Sequence, residues 1–161
     1  MPKNIVVFDL DGTLADGRHR LHLLPNKGNA HKDAAWEAFN MACSDDAPIR
    51  DNIMLLRALL HTYHRIVILS GRGEVARKNT LKWLGYYNVD YDELIMRPVG
   101  DCRKDIDFKE SELRKLGLDN ILCCFDDLEH VAKHIRSLGV TCHLVTHYDT
   151  PSLAEQPQER K

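Results

Sequence analysis

The stretch Ile5-Val6-Val7-Phe8-Asp9-Leu10-Asp11-Gly12-Thr13 decides how the chain is read. Four consecutive apolar residues, with no polar alternation, describe a strand buried on both faces, the form strands take in a parallel sheet covered by helices on either side. The run ends on a carboxylate. A second carboxylate follows one residue later, beside a glycine that permits a tight turn. Two such groups can address one bound atom, and their mutual repulsion calls for a cation.

Outward from this stretch, residues 66–69, 121–125 and 141–145 are similar short runs, separated by amphipathic segments. Leu128, Val131, Ala132, Ile135 and Leu138 recur at helical spacing ahead of Gly139, and Ile53, Leu56, Leu59 and Leu60 form a second stripe behind Pro48. Residues 74–84 and 106–116 supply two further helices, stopped by Gly85 and Gly117. The alternation predicts an α/β fold, a Rossmann-like three-layer sandwich around a central parallel sheet. Residues 15–47 break the rhythm with Gly17, Pro25 and Gly28, then regain helical spacing over 33–42 with Trp36 and Phe39 on one side. They read as a small helical insertion after the first strand, a cap or lid over one end of the sheet. The expected organisation is one domain over 1–149, with a polar, disordered tail at 150–161.

The composition is that of an ordinary globular domain: 161 residues, 43% hydrophobic, formal charge −2. That balance excludes a broad polyanion-coating surface. No apolar run approaches the ~20 residues of a membrane span, and no signal-peptide pattern opens the chain, so a cytoplasmic location without membrane contact is expected. The five cysteines form no CxxC pair, and His19-x2-His22 and His61-x2-His64 lack a second ligand pair at zinc-finger spacing.

Chemistry collects where strands end. Asp9, Ser70 and the pair Asp126-Asp127 each follow an apolar run, placing them at the carboxyl edge where open α/β sheets bind ligands. An oxygen-rich, sulfur-free set suits Mg²⁺. Lys109 shares a helical face with Ile106, Leu113 and Leu116, so its ammonium reads as a buried cation paired with the carboxylates.

These residues match a known pattern. Asp9-x-Asp11-Gly12-Thr13 resembles the first motif of the haloacid dehalogenase (HAD) superfamily, whose phosphatases use the first Asp as nucleophile and the second as general acid/base. The resemblance implies that Ser70 and Lys109 bind phosphate, and that Mg²⁺ is held by the Asp9 carboxylate, the Asp11 carbonyl and Asp126. Asp127 would support the metal or orient Lys109. Asp11 would need a raised pKa for its acid role.

Ser70-Gly71-Arg72, Asp101-x-Arg103-Lys104-Asp105-x-x-x-Lys109 and Phe125-Asp126-Asp127 resemble, more narrowly, the 3′-phosphatase domain of phage-type polynucleotide kinase/phosphatase, over about residues 5–147. By that resemblance Arg72, with Arg103 or Arg97, contacts substrate phosphate, a task suited to a guanidinium fork. Thr13 and Gly71 complete the substrate-binding set. The sequence departs from the pattern in two ways. It contains no GxxxxGK[ST], so no kinase activity is expected. The 15–47 insertion is also larger, and Trp36, Phe39, His19, Arg20 and His22 would form a lid that stacks a base and binds its phosphate.

The expected function is a Mg²⁺-dependent phosphomonoesterase working through an aspartyl-phosphate on a nucleotide, either a nucleoside monophosphate or a polynucleotide 3′-phosphate end. No obligatory protein partner is called for, and the location would be the host cytoplasm if the chain is phage-encoded. A sugar-phosphate phosphatase of the same superfamily is one alternative. A phospho-accepting receiver module is another, although receivers carry their adjacent acidic pair at the first strand, and here that pair is late.

Overall fold

The computed structural model describes residues 2–145, and the tail expected at 150–161 lies outside them. Five parallel strands form the central sheet: β1 (Ile5–Phe8), β4 (Arg65–Gly73), β5 (Glu93–Arg97), β6 (Ile121–Asp126) and β7 (Cys142–Leu144), in the order β5-β4-β1-β6-β7. Two two-residue strands, β2 (Ala15–Asp16) and β3 (Ala47–Pro48), pair antiparallel. From central β1 the chain builds outward through β4 to β5, then crosses back to add β6 and β7 on the other side. Strand order reverses at β1, so a crevice opens beyond its carboxyl end.

Successive residues of β1 point to opposite faces, and each face has its own core. Val6 and Phe8 join Ile66, Ile68, Ile53, Leu56, Trp83 and Leu84 under α2 (Arg50–His61) and α3 (Arg77–Tyr86). Ile5 and Val7 join Val67, Leu69, Phe108, Leu113, Val131 and Ile135 under α4 (Asp105–Leu116) and α5 (Glu129–Ser137). This is the three-layer sandwich expected from the strand-helix alternation. Gly117 and Gly139 end α4 and the α5 segment with φ of 87° and 83°, a left-handed backbone that glycine adopts without strain. Helix α3 runs one residue past the expected stop at Gly85.

The insertion differs in kind from the single helix expected. Its ends are pinched together by the β2–β3 pair, and between them lie 3₁₀ turns at Arg18–Leu23, Asp33–Trp36 and Ala42–Asp45, with one short helix, α1 (Glu37–Met41). A separate small core of Ala30, Trp36 and Phe39, flanked by Leu23 and Leu24, organises it. The Trp36 indole N–H donates to the Ala30 carbonyl at 2.8 Å, and the Phe39 ring stands edge-on to Trp36 at 6.1 Å. Among the described residues, no helix is long and apolar enough to cross a membrane. All five thiols are free, and Cys123 and Cys124 lie in the two cores.

Candidate active site

Three strand ends and one helix meet in the crevice. Asp9 directly follows β1, and its N–H donates to the Phe125 carbonyl of β6, which fixes its height beside Asp126. The chain then turns sharply, with the Leu14 and Ala15 N–H groups both donating to the Leu10 carbonyl. Gly12 turns this corner at φ 79°. Thr13 is fully buried and its hydroxyl donates to Asp9 Oδ2 at 3.3 Å.

Lys109 reaches the same point from α4. Its Nζ donates to Asp9 Oδ1 at 3.1 Å and Asp126 Oδ2 at 2.7 Å, and stands 3.4 Å from Asp105 Oδ2. Burial works against the ammonium, but Asp105, Asp126 and Asp9 outweigh it and hold its pKa well above the ordinary value. The buried cation in an apolar stripe is therefore a paired one.

Asp9, Asp126 and Asp127 are all buried, and each offers a carboxylate oxygen within 4.8 Å of the others. One ammonium faces three carboxylates. Burial drives the Asp9 pKa upward against Lys109, with Asp126, Asp11 and Asp105 adding to the rise, and it is pushed up to about 8. Asp127 rises well above its ordinary value through burial, then Asp9 and Asp126. Its Oδ2 is buried without a hydrogen-bond partner among the described residues. An excess of buried negative charge, an orphaned oxygen and an all-oxygen donor set fit a hard divalent cation such as Mg²⁺. Asp127, expected in a supporting role, belongs to this cluster as fully as Asp126 does.

Asp11 behaves differently from expectation. Its carboxylate lies outside the three-Asp cluster and pairs with two guanidiniums, Arg72 Nη2 at 2.5 Å and Arg20 Nη2 at 2.6 Å. Burial would raise its pKa, but Arg72 and Arg20 overcome that and hold it far below the usual carboxylate range. A raised pKa is thus not what this geometry gives.

Behind Asp11 stands Asp46, which no motif or apolar run marks in the sequence. It is buried and accepts from Arg20 Nε at 2.8 Å and Nη2 at 2.7 Å, from Arg72 Nη2 at 3.3 Å, and pairs with His19 Nε2 at 2.8 Å. Two carboxylates and two guanidiniums therefore balance in one buried network. Arg20, expected in a lid, is instead part of this floor, and its guanidinium sits 4.2 Å over the Phe39 ring. His22 is exposed and outside the pocket.

The pocket over these groups is walled by Asp9, Asp11, Gly71, Arg72, Lys109 and Asp127, and on the insertion side by Leu24, Trp36 and Phe39. Ser70 lies just behind that wall, its hydroxyl oxygen accepting the Arg72 N–H at 3.1 Å. Arg97 lines the pocket and Arg103 does not: Arg103 is paired with Asp101 at 2.7 Å on the exposed rim.

Residues 3–149 match the family model of the polynucleotide kinase PNKP phosphatase domain. Among solved structures, a chain of a Pnkp1/Rnl/Hen1 complex superimposes with a TM-score of 0.74 at 26% identity, over 92% of this chain and 47% of that one. A chain of a Pnkp1/Rnl/Hen1 RNA repair complex gives 0.70 at 27% identity, over 90% and 43%. The chain thus spans about half the length of those relatives. L-2-haloacid dehalogenase from Xanthobacter autotrophicus shares the fold, with a TM-score of 0.62 at 15% identity over 96% of this chain and 81% of that one. No curated protein sequence matches the chain.

Proposed function

Since the chain belongs to the PNKP phosphatase-domain family of HAD phosphatases, we propose that it is a Mg²⁺-dependent phosphomonoesterase acting on a nucleotide phosphate, with a polynucleotide 3′-phosphate end as its substrate. The observation that carries this reading is the Asp9 carboxylate. It is gripped by Lys109 and Thr13 and shares one pocket with the aromatic wall of Trp36 and Phe39. A phosphate-reacting carboxylate opposite an apolar, aromatic surface suits an ester whose leaving group carries a base. The repair-complex relatives favour a nucleic-acid end over a free mononucleotide, and a partner protein is compatible with the same comparison.

An Asp9 carboxylate oxygen attacks phosphorus; the new O–P bond forms as the ester P–O bond breaks, leaving an aspartyl-phosphate. Asp11 gives a proton to the departing oxygen. Water then attacks the phosphoryl group, Asp11 takes its proton, and inorganic phosphate leaves with Asp9 restored. Asp9, Asp126 and Asp127 would hold Mg²⁺, which would supply positive charge that favours the ionised form of Asp9 and offsets the negative charge of the phosphate. Lys109 and Arg72 hold the charge spread over those oxygens, which is most of what phosphoryl transfer asks of a protein. Since Arg72 and Arg20 hold Asp11 ionised, its acid role requires that it take up a proton from solvent as phosphate oxygens compete for the Arg72 guanidinium, and the proton it takes from the attacking water serves the next turnover.

The deciding experiment is a panel of 3′- and 5′-mononucleotides, 3′-phosphorylated oligonucleotides and sugar phosphates, with Mg²⁺ and with chelator. Preferred, Mg²⁺-dependent release of phosphate from 3′-phosphorylated oligonucleotides is expected. Preference for sugar phosphates would overturn the substrate, and undiminished turnover in chelator would overturn the metal.

A further inference from the structure

One buried cation at the site has no part in the chemistry above. Arg97 ends β5 and is 1% exposed, with its guanidinium 4.8 Å over the Phe108 ring. Its fork spans three segments. Nε donates to the Gly71 carbonyl at 3.1 Å, Nη1 to the Arg103 carbonyl at 2.9 Å, and Nη2 to Asp105 Oδ1 at 3.0 Å. The other oxygen of Asp105 is the one beside Lys109 Nζ, at 3.4 Å. We infer that Arg97 is a positioning residue of the phosphatase reaction, acting through Asp105 to hold the Lys109 ammonium on Asp9.

The surrounding backbone is built for this. The β4–β5 register shifts between Ser70 and Gly73, so Gly71 and Arg72 bulge out where Arg97 stands. A bulge re-aims side chains, and this one carries Arg72 toward Asp11. Gly71 leaves room for Asp105: a Cβ there would lie 2.3 Å from Asp105 Oδ1. The planar fork of an arginine can hold a carbonyl on one edge and a carboxylate on another at fixed angles, which a lysine ammonium cannot do. Released from Arg97, Asp105 would be free to turn, and Lys109 would lose one of its three anchors.

The inference rests on the phosphatase reading, and two readouts separate the fates of the two. Arg97→Lys and Asp105→Asn should each lower kcat, by up to the order of 10²-fold expected for a ~1 Å misplacement, with KM moving less than about threefold. The double variant should be no slower than the worse single within about twofold, since both remove one device. Gly71→Ala should show the same kcat loss with Arg97 intact, which covers the case in which Arg97→Lys fails to fold. In metal-free protein, the ¹⁵N ammonium resonance of Lys109 should exchange with water faster in each variant. Multiplicative losses in the double variant, a KM rise with kcat intact, or an unchanged ammonium resonance would each overturn it. An unsubstituted chain inactive on every ester would sink the phosphatase reading alone, and the resonance would still report on the Arg97 linkage.

Discussion

Gly12 and Asp127 approach so closely that a Cβ at residue 12 would stand 2.0 Å from Asp127 Oδ2. Glycine is therefore what lets the Asp9–Thr13 turn close onto the second acidic strand end. Gly12→Ala meets this clash and a φ of 79°, which costs an L-residue about 1–2 kcal/mol. The Asp127 carboxylate has to leave its place in the three-Asp cluster. Turnover is expected to fall by the order of 10²-fold, and the rise in Tm on adding Mg²⁺ should vanish; an alanine variant with both intact contradicts the geometry.

Asp9→Asn should abolish turnover and stabilise the metal-free fold. The carboxyl is raised from its ordinary 3.8 to about 8, so the folded state binds its proton more tightly than the unfolded chain does. Stability from this group is then full below pH ~4 and is lost as pH rises toward 8. Asparagine removes that loss. In chelator, the Tm advantage of the variant over the natural protein should widen between pH 5 and 8, roughly the window set by these two pKa values. The Mg²⁺-induced stabilisation of the natural protein should grow over the same range, because binding requires the protons to leave. A Tm difference independent of pH would show that Asp9 is ionised without a metal.

Much of this site is legible along the chain, because its parts sit at the ends of short apolar runs. Asp9, Asp126 and Asp127 announce themselves by following Ile5–Phe8 and residues 121–125, and Lys109 by breaking an apolar helical face. Strand β5 is not legible along the chain because Glu93 and Arg97 bracket only three apolar residues, the look of a polar connector. Spacing does not pair Arg20 with Asp46: they stand 26 positions apart across a turn-rich insertion, and the β2–β3 pinch that brings the ends of that segment together is two residues long. The low pKa of Asp11 is hidden for the same reason, since a carboxylate one residue from Asp9 looks crowded until the two arginines are placed.

That arginine pair makes a stability prediction. Asp46→Ala leaves the buried Arg20 and Arg72 with Asp11 as their remaining carboxylate partner. Removing one member of a buried ion network costs about 3–5 kcal/mol, because the other charge stays buried without its counterion. Urea unfolding should show a loss of that size, with the double variant Asp46→Ala, Arg20→Met recovering part of it. A loss below about 1 kcal/mol, as for exposed pairs, would mean that water screens this network.

The insertion is tested at Trp36. If residues 15–47 act as a lid that recognises the base, replacing Trp36 by leucine should preserve the small Ala30–Phe39 core while removing the stacking surface. Base stacking on an aromatic side chain is worth about 1–3 kcal/mol, so KM for a 3′-phosphorylated oligonucleotide should rise by roughly 5- to 150-fold. Glycerol phosphate has no base to stack, and its kcat/KM should stay near that of the natural protein, since Asp9, Lys109 and Arg72 stand on the sheet and α4 and not on the insertion. Equal losses on both esters would reduce Trp36 to packing. The comparison works within one variant, so any general loosening of the fold enters both measurements alike and cancels in their ratio.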